Sequence, residues 1–187
     1  MARLVLASSS VNRKQIFERA GLEFTVMVSD ADETAEGLAP DALVQEFARR
    51  KMEAVLPRCL PDDIVVTADT VVSIDNEILG KPHDAAEASR FLHMLSGRTH
   101  VVYTGVCIEY RGRRVAFCQT TQVQFYPLSE KEIADYVASG EPFGKAGAYG
   151  IQGPAALFVE GIVGDYNNIF GLPAAHVMRE VKALLGE

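Results

Sequence analysis

The chain has 187 residues, 48% of them hydrophobic, with a formal net charge of −7 and a pI near 5.1. That length supports one sizeable core and a single domain over residues 1–187, and that charge excludes a protein built to neutralise a nucleic-acid polymer, while still allowing a local cationic pocket for a small anion. Cys59, Cys107 and Cys118 are odd in number and widely spaced, and no run approaches a membrane span or a signal-peptide core, so the expectation is a disulfide-free cytoplasmic protein that meets no membrane.

In chain order, Arg3 to Ala7 predicts a buried strand, Ser8-Ser9-Ser10 a turn with an N-cap, and Val11 to Ala20 a helix closed by Gly21. Leu22 to Ser29 reads as a strand and Asp30-Ala31-Asp32-Glu33 as an acidic turn. A helix from Pro40 to Val55 places Leu43, Phe47, Ala48 and Val55 on one face, with Lys51 on or near it. Ile64 to Thr67 and Val71 to Ile74 read as strands around Ala68-Asp69-Thr70, followed by turn residues Asp75-Asn76-Glu77. Asp84 with Glu87, and Ser129 with Glu132, open helices that end at Gly97 and Gly140. Between them, Thr99 to Tyr110 and Arg114 to Tyr126 form a hairpin. Lys145 to Pro154 is an ordered glycine-bearing loop, and a strand near Leu157 to Ile162 precedes a last helix from Ala174 to Leu185. Helices and strands interleave and the hairpin is antiparallel, so the class is α/β with a mixed sheet.

Three sets of residues carry chemistry in this frame. Ser8, Ser9, Ser10, Asn12, Arg13 and Lys14 combine a helix N-terminus, hydroxyls and cations, which suits a phosphate. Glu33 and Asp69 offer hard oxygen ligands for Mg²⁺ or Mn²⁺, and Asp69 interrupts an apolar segment where an unpaired carboxylate is costly. Lys51, Lys81 and Lys145 are cations that can offset a polyphosphate. The four histidines show no metal-ligand spacing, and neither a G-x-S-x-G elbow nor a P-loop is present.

Leu6-Ala7-Ser8-Ser9-Ser10, Asp32-Glu33, Ala68-Asp69-Thr70, Gly80-Lys81-Pro82, Lys145-Ala146-Gly147-Ala148-Tyr149-Gly150-Ile151-Gln152-Gly153 and Gly164 to Pro173 occur in that order, and together they resemble the Maf family over nearly the whole chain. The resemblance implies a fold like the inosine-triphosphate pyrophosphatases: a mixed twisted sheet with flanking helices, two lobes around a central cleft, and a homodimer. It also implies hydrolysis of a nucleoside triphosphate to monophosphate and diphosphate with a divalent metal. Asp69 would be proton acceptor and metal ligand, Glu33 a second metal ligand, and Ser8, Ser10, Arg13, Lys51 and Lys81 phosphate contacts. Thr70 and Gln152 match the branch that prefers dTTP and UTP, whereas Asn12 stands where that branch has an arginine. A broader base preference reaching 7-methyl-GTP or ITP therefore stays open, as does a nucleotide-binding regulator of cell division.

Overall fold

The computed structural model describes residues 2–187. Strand β1 (Leu4–Leu6) leads into helix α1 (Val11–Arg19), then β2 (Thr25–Val26) and α2 (Pro40–Val55). Next come β3 (Ile64–Ile74), β4 (Glu77–Leu79), α3 (Ala85–Leu95), β5 (Thr99–Tyr110) and β6 (Arg113–Phe125). The chain finishes with α4 (Glu130–Ala138), β7 (Val159–Val163), α5 (Tyr166–Ile169) and α6 (Ala174–Leu185). The sheet order is β2-β1-β3-β5-β6-β7, with β4 beside β3. β1 pairs parallel with β2 and β3, whereas β3–β4 and β6–β7 are antiparallel, so the sheet is mixed as expected.

Three elements differ from the sequence reading for local reasons. The strand expected over residues 22–29 shrinks to Thr25–Val26, because its neighbour β1 offers only three residues and both β2 side chains are exposed. β3 runs unbroken through Asp69, where a polar interruption was expected. The carboxylate is tolerated because Lys51 reaches it from α2, and Thr67 Oγ1 donates to the Ala48 carbonyl of the same helix at 2.7 Å. Asp75 and Asn76, with φ of 51° and 64°, form a two-residue turn that returns the chain as β4 in the register Ile74↔Glu77.

The chain divides into two compact units. The first contains the residues up to Thr70, Thr104–Gln119 and Gly171–Glu187, and its core includes Val5, Ala48, Met52, Val55, Val65 and Cys107. Here α2 lies so close to β5 that a Cβ on Gly105 would sit 2.3 Å from the Val44 carbonyl carbon and oxygen. The second unit contains Val71–Tyr103 and Thr120–Phe170, around Leu79, Phe91, Leu92, Leu95, Phe125 and Phe158. Ser129 and Glu132 close a reciprocal capping box on α4, as their spacing predicts. All three cysteines are free thiols, and among the described residues no helix is long and apolar enough to cross a membrane.

Candidate functional site

The first unit gathers most of the chemistry-bearing residues at the carboxyl ends of parallel strands, where an α/β sheet usually holds its ligands. β1 ends at Leu6, and the chain turns through Ser8 and Ser10 into α1. Ser8 Oγ accepts from the Ser10 amide and from Arg13 Nη1, each at 3.2 Å, while Ser10 Oγ caps the helix by accepting from the Arg13 amide. Each hydroxyl thus uses lone pairs internally and keeps a proton to donate. Asn12 is half-buried on the first turn of α1.

β3 extends beyond the end of β1, and its period of two sends adjacent residues to opposite faces. Asp69 goes to the α2 side, where Lys51 Nζ lies 2.6 Å from its Oδ1. The same ammonium is 3.2 Å from Glu33 Oε1 and 3.5 Å from the Ala68 carbonyl, so one buried cation joins both carboxylates singled out from the sequence. Glu33 itself is about half exposed. Its loop is strapped to α2 by Arg50, whose Nη1 donates to the carbonyls of Asp32 and Thr34, the residues flanking Glu33. Glu46 braces Arg50 at 2.7 Å, and its hydrogen bonds with Arg49 and Arg50 hold its carboxyl down at about 2. Arg50 and Glu46 were not singled out from the sequence, where a Glu and an Arg four residues apart on a helix look like any surface charge pair.

Thr70 goes to the α1 side. Its Oγ1 accepts from Arg13 Nη2 at 2.9 Å, lies 2.9 Å from Thr104 Oγ1 and 3.3 Å from the Gly171 carbonyl. Arg13 is buried, and its Nε also donates to the Gly171 carbonyl at 2.7 Å. Burial lowers the guanidinium's pKa, opposed by the charges of Asp69 and Glu33, so the cation rests on neutral acceptors with carboxylates near but not bonded. Thr104 and Gly171 are further members of this cluster that the sequence reading gave no role.

Lys81 and Gln152 belong to the second unit, and both are exposed. The Gly80 carbonyl beside Lys81 accepts from the Gly147 amide at 3.0 Å, which ties the Gly-Lys-Pro turn to the glycine-bearing loop that leads to Gln152. Lys145 is occupied within its own segment: Nζ donates to the Glu141 carbonyl at 2.6 Å and pairs with the Glu141 carboxylate at 3.3 Å. A cavity of about 350 Å³ lined by Leu56, Leu60, Val65, Glu109 and Arg111 contains none of these residues; it lies at the start of β3, about 13 Å of extended strand before Asp69.

The family described as Maf-like protein matches residues 3–184. The chain belongs to that family. This Maf-like protein is 50% identical over 185 residues to a dTTP/UTP pyrophosphatase of a Geobacillus species, covering 98% of this chain and 99% of that one. It is 46% identical over 183 residues to a dTTP/UTP pyrophosphatase of Bacillus cytotoxicus, covering 97% and 95%. Among solved structures it resembles the Staphylococcus aureus Ham1 protein, with a TM-score of 0.50, 13% identity and 98% of both chains covered, a likeness of fold. Among the described residues no group of three or more His, Cys, Asp or Glu is arranged to hold a metal.

Proposed function

We propose that this chain is a nucleoside-triphosphate pyrophosphatase that converts dTTP, UTP or a modified pyrimidine counterpart to the monophosphate and diphosphate. The observation that carries the reading is the meeting of Glu33 and Asp69 at one buried ammonium, in the unit that also holds a buried guanidinium. The names of the relatives support the substrate class.

In the proposed reaction a water oxygen attacks the α-phosphorus, the bond from that phosphorus to the oxygen bridging toward the β-phosphorus breaks, and diphosphate departs. Asp69 takes the water's proton. Lys51, shared by the two carboxylates, would also serve the phosphate oxygens as nucleotide enters, which leaves Asp69 able to act as a base. Ser8 and Ser10 donate their hydroxyl protons, and Arg13 its remaining N–H groups, to phosphate oxygens. Lys81 as a phosphate contact and Gln152 as a base contact rest on the family resemblance alone.

A divalent cation, Mg²⁺ or Mn²⁺, fits the donor set. Glu33 and Asp69 would hold it through hard oxygens, and so few protein ligands suit an ion that keeps waters and shares substrate phosphates. When bound, it supplies positive charge against the phosphate oxygens. Asn12, an amide at the start of α1 where the pyrimidine branch has an arginine, favours a base preference wider than dTTP and UTP. A cytoplasmic homodimer completes the proposal; sedimentation reads its mass.

The test is diphosphate release from a panel of dTTP, UTP, ITP and 7-methyl-GTP with Mg²⁺ or Mn²⁺. Turnover of a pyrimidine triphosphate is expected, and Asp69→Asn is expected to lower kcat by about 100-fold or more, the usual worth of a positioned base. A variant as active as the natural chain would remove Asp69 from the mechanism. Nucleotide binding without any product would favour a regulator instead.

A further inference from the structure

We infer that Arg50 is a positioning residue for the divalent cation of the proposed reaction: it fixes the backbone on either side of Glu33, so that this carboxylate is already in place when the cation binds. The inference rests on the proposed role of Glu33 as a metal ligand. Glu33 lies in the irregular stretch of residues 27–39 that joins β2 to α2, and its side chain is half exposed. A carboxylate on a loose segment of that length would have to be ordered at the moment of binding, and the lost entropy would come off the affinity.

The segment is tied down in two stages. Thr34 donates its amide to Asp32 Oδ1 at 2.9 Å and its hydroxyl to the same oxygen at 2.7 Å, which closes residues 32–34 into a tight turn with Glu33 in the middle. Arg50 then fastens the turn to α2: its Nη1 donates to the Thr34 carbonyl at 2.7 Å and reaches the Asp32 carbonyl at 3.4 Å. The guanidinium is itself held, by Glu46 Oε1 at 2.7 Å from Nε and by the Phe47 ring, whose centroid lies 5.8 Å from its central carbon. Consecutive residues of one helix thus hold Glu33 in different ways, Lys51 by the carboxylate and Arg50 by the main chain, and the second hold leaves the carboxylate oxygens to a cation. Charge and position pull in opposite directions here. As a charge, Arg50 repels a cation at Glu33, and its removal would tighten binding; as a strap it favours binding, and its removal weakens it.

The experiment titrates Mn²⁺ into the nucleotide-free protein, with free Mn²⁺ read by electron paramagnetic resonance, for the natural chain, Arg50→Met, Glu33→Gln and the double variant. Methionine is a good helix former with a similar apolar stem, and the Arg50 side chain is partly exposed, so the variant is expected to fold. Arg50→Met is expected to weaken Mn²⁺ binding about three- to tenfold, the effect of a hydrogen bond, and Glu33→Gln by about tenfold or more. Because Arg50 acts through Glu33, the double variant should bind no more weakly than Glu33→Gln alone. Unchanged or tighter binding by Arg50→Met, with Glu33→Gln weakened, overturns the positioning role and leaves Glu33 standing as a ligand; so do losses that add in the double variant. Natural affinity in Glu33→Gln, or no Mn²⁺ binding by the natural chain, overturns the metal-ligand reading of Glu33 and the inference with it.

Discussion

Lys51 is the residue on which the electrostatics of the first unit turn. It is buried, and it neutralises a carboxylate that the apolar strand β3 could not otherwise carry. Removing one member of a buried pair leaves the other charge uncompensated, which typically costs about 3–5 kcal/mol, whereas replacing both members by groups of similar shape is often close to neutral. Lys51→Met is therefore expected to lower unfolding stability by about 2–4 kcal/mol, below the full range because Glu33 is half exposed and Asp69 keeps some contact with solvent. Adding Asp69→Asn to that variant should recover most of the loss. Urea unfolding of the two single variants and the double variant gives the coupling directly; additive losses would mean that the pair contributes nothing as a pair.

At the scale of elements, the contact between α2 and β5 is closed at Gly105. An alanine there would press its methyl carbon into the Val44 backbone at 2.3 Å, and backbone cannot rotate away as a side chain can. Gly105→Ala is expected to destabilise by about 1–3 kcal/mol or more, and to raise KM because α2 carries Lys51 and Arg50. Thermal unfolding and steady-state kinetics measured together check both effects; an unchanged melting temperature would contradict the close packing. Much of this architecture was legible beforehand. Pro40 at the start of α2, the Ser129/Glu132 box on α4 and the glycines after α1 and α4 mark helix ends by backbone chemistry that acts locally. The unbroken course of β3 was not legible, because what makes Asp69 acceptable inside a strand is a lysine on another element. Within the site, residue types identified Asp69, Glu33, Lys51 and Arg13. The bonds that decide their geometry come from Thr104, Arg50 and the Gly171 carbonyl, and a carbonyl leaves no trace in the residue code.

For the whole molecule, stability toward acid depends on a histidine the site does not use. His100 is almost fully enclosed in the second core, between the rings of Phe125 and Tyr149, with Nε2 2.8 Å from the Tyr149 hydroxyl. Among the described residues its Nδ1 meets no hydrogen-bond partner, and burial pushes the ring's pKa down to about 4. The unfolded chain takes up a proton near the ordinary value of 6.5, before the folded chain does. The stabilising contribution is therefore complete above about pH 6.5 and is lost as pH falls toward 4, a difference on the order of 3 kcal/mol. Melting curves from pH 7.5 to 4 should fall more steeply for the natural chain than for His100→Gln; parallel curves would show that the histidine carries no such penalty.

Neither compact unit is a continuous length of chain: the first draws on the opening residues, on a middle stretch and on everything from Gly171 onward. During synthesis, Arg13 leaves the ribosome early, yet its acceptor at Gly171 is made some 158 residues later. The nascent polypeptide must therefore hold a desolvation-prone guanidinium in waiting while the second unit, whose last residue is Phe170, is already complete in sequence. Completion of the first unit thus departs from chain order: β1 can pair with β2 soon after synthesis, whereas Arg13 waits for an acceptor made far downstream.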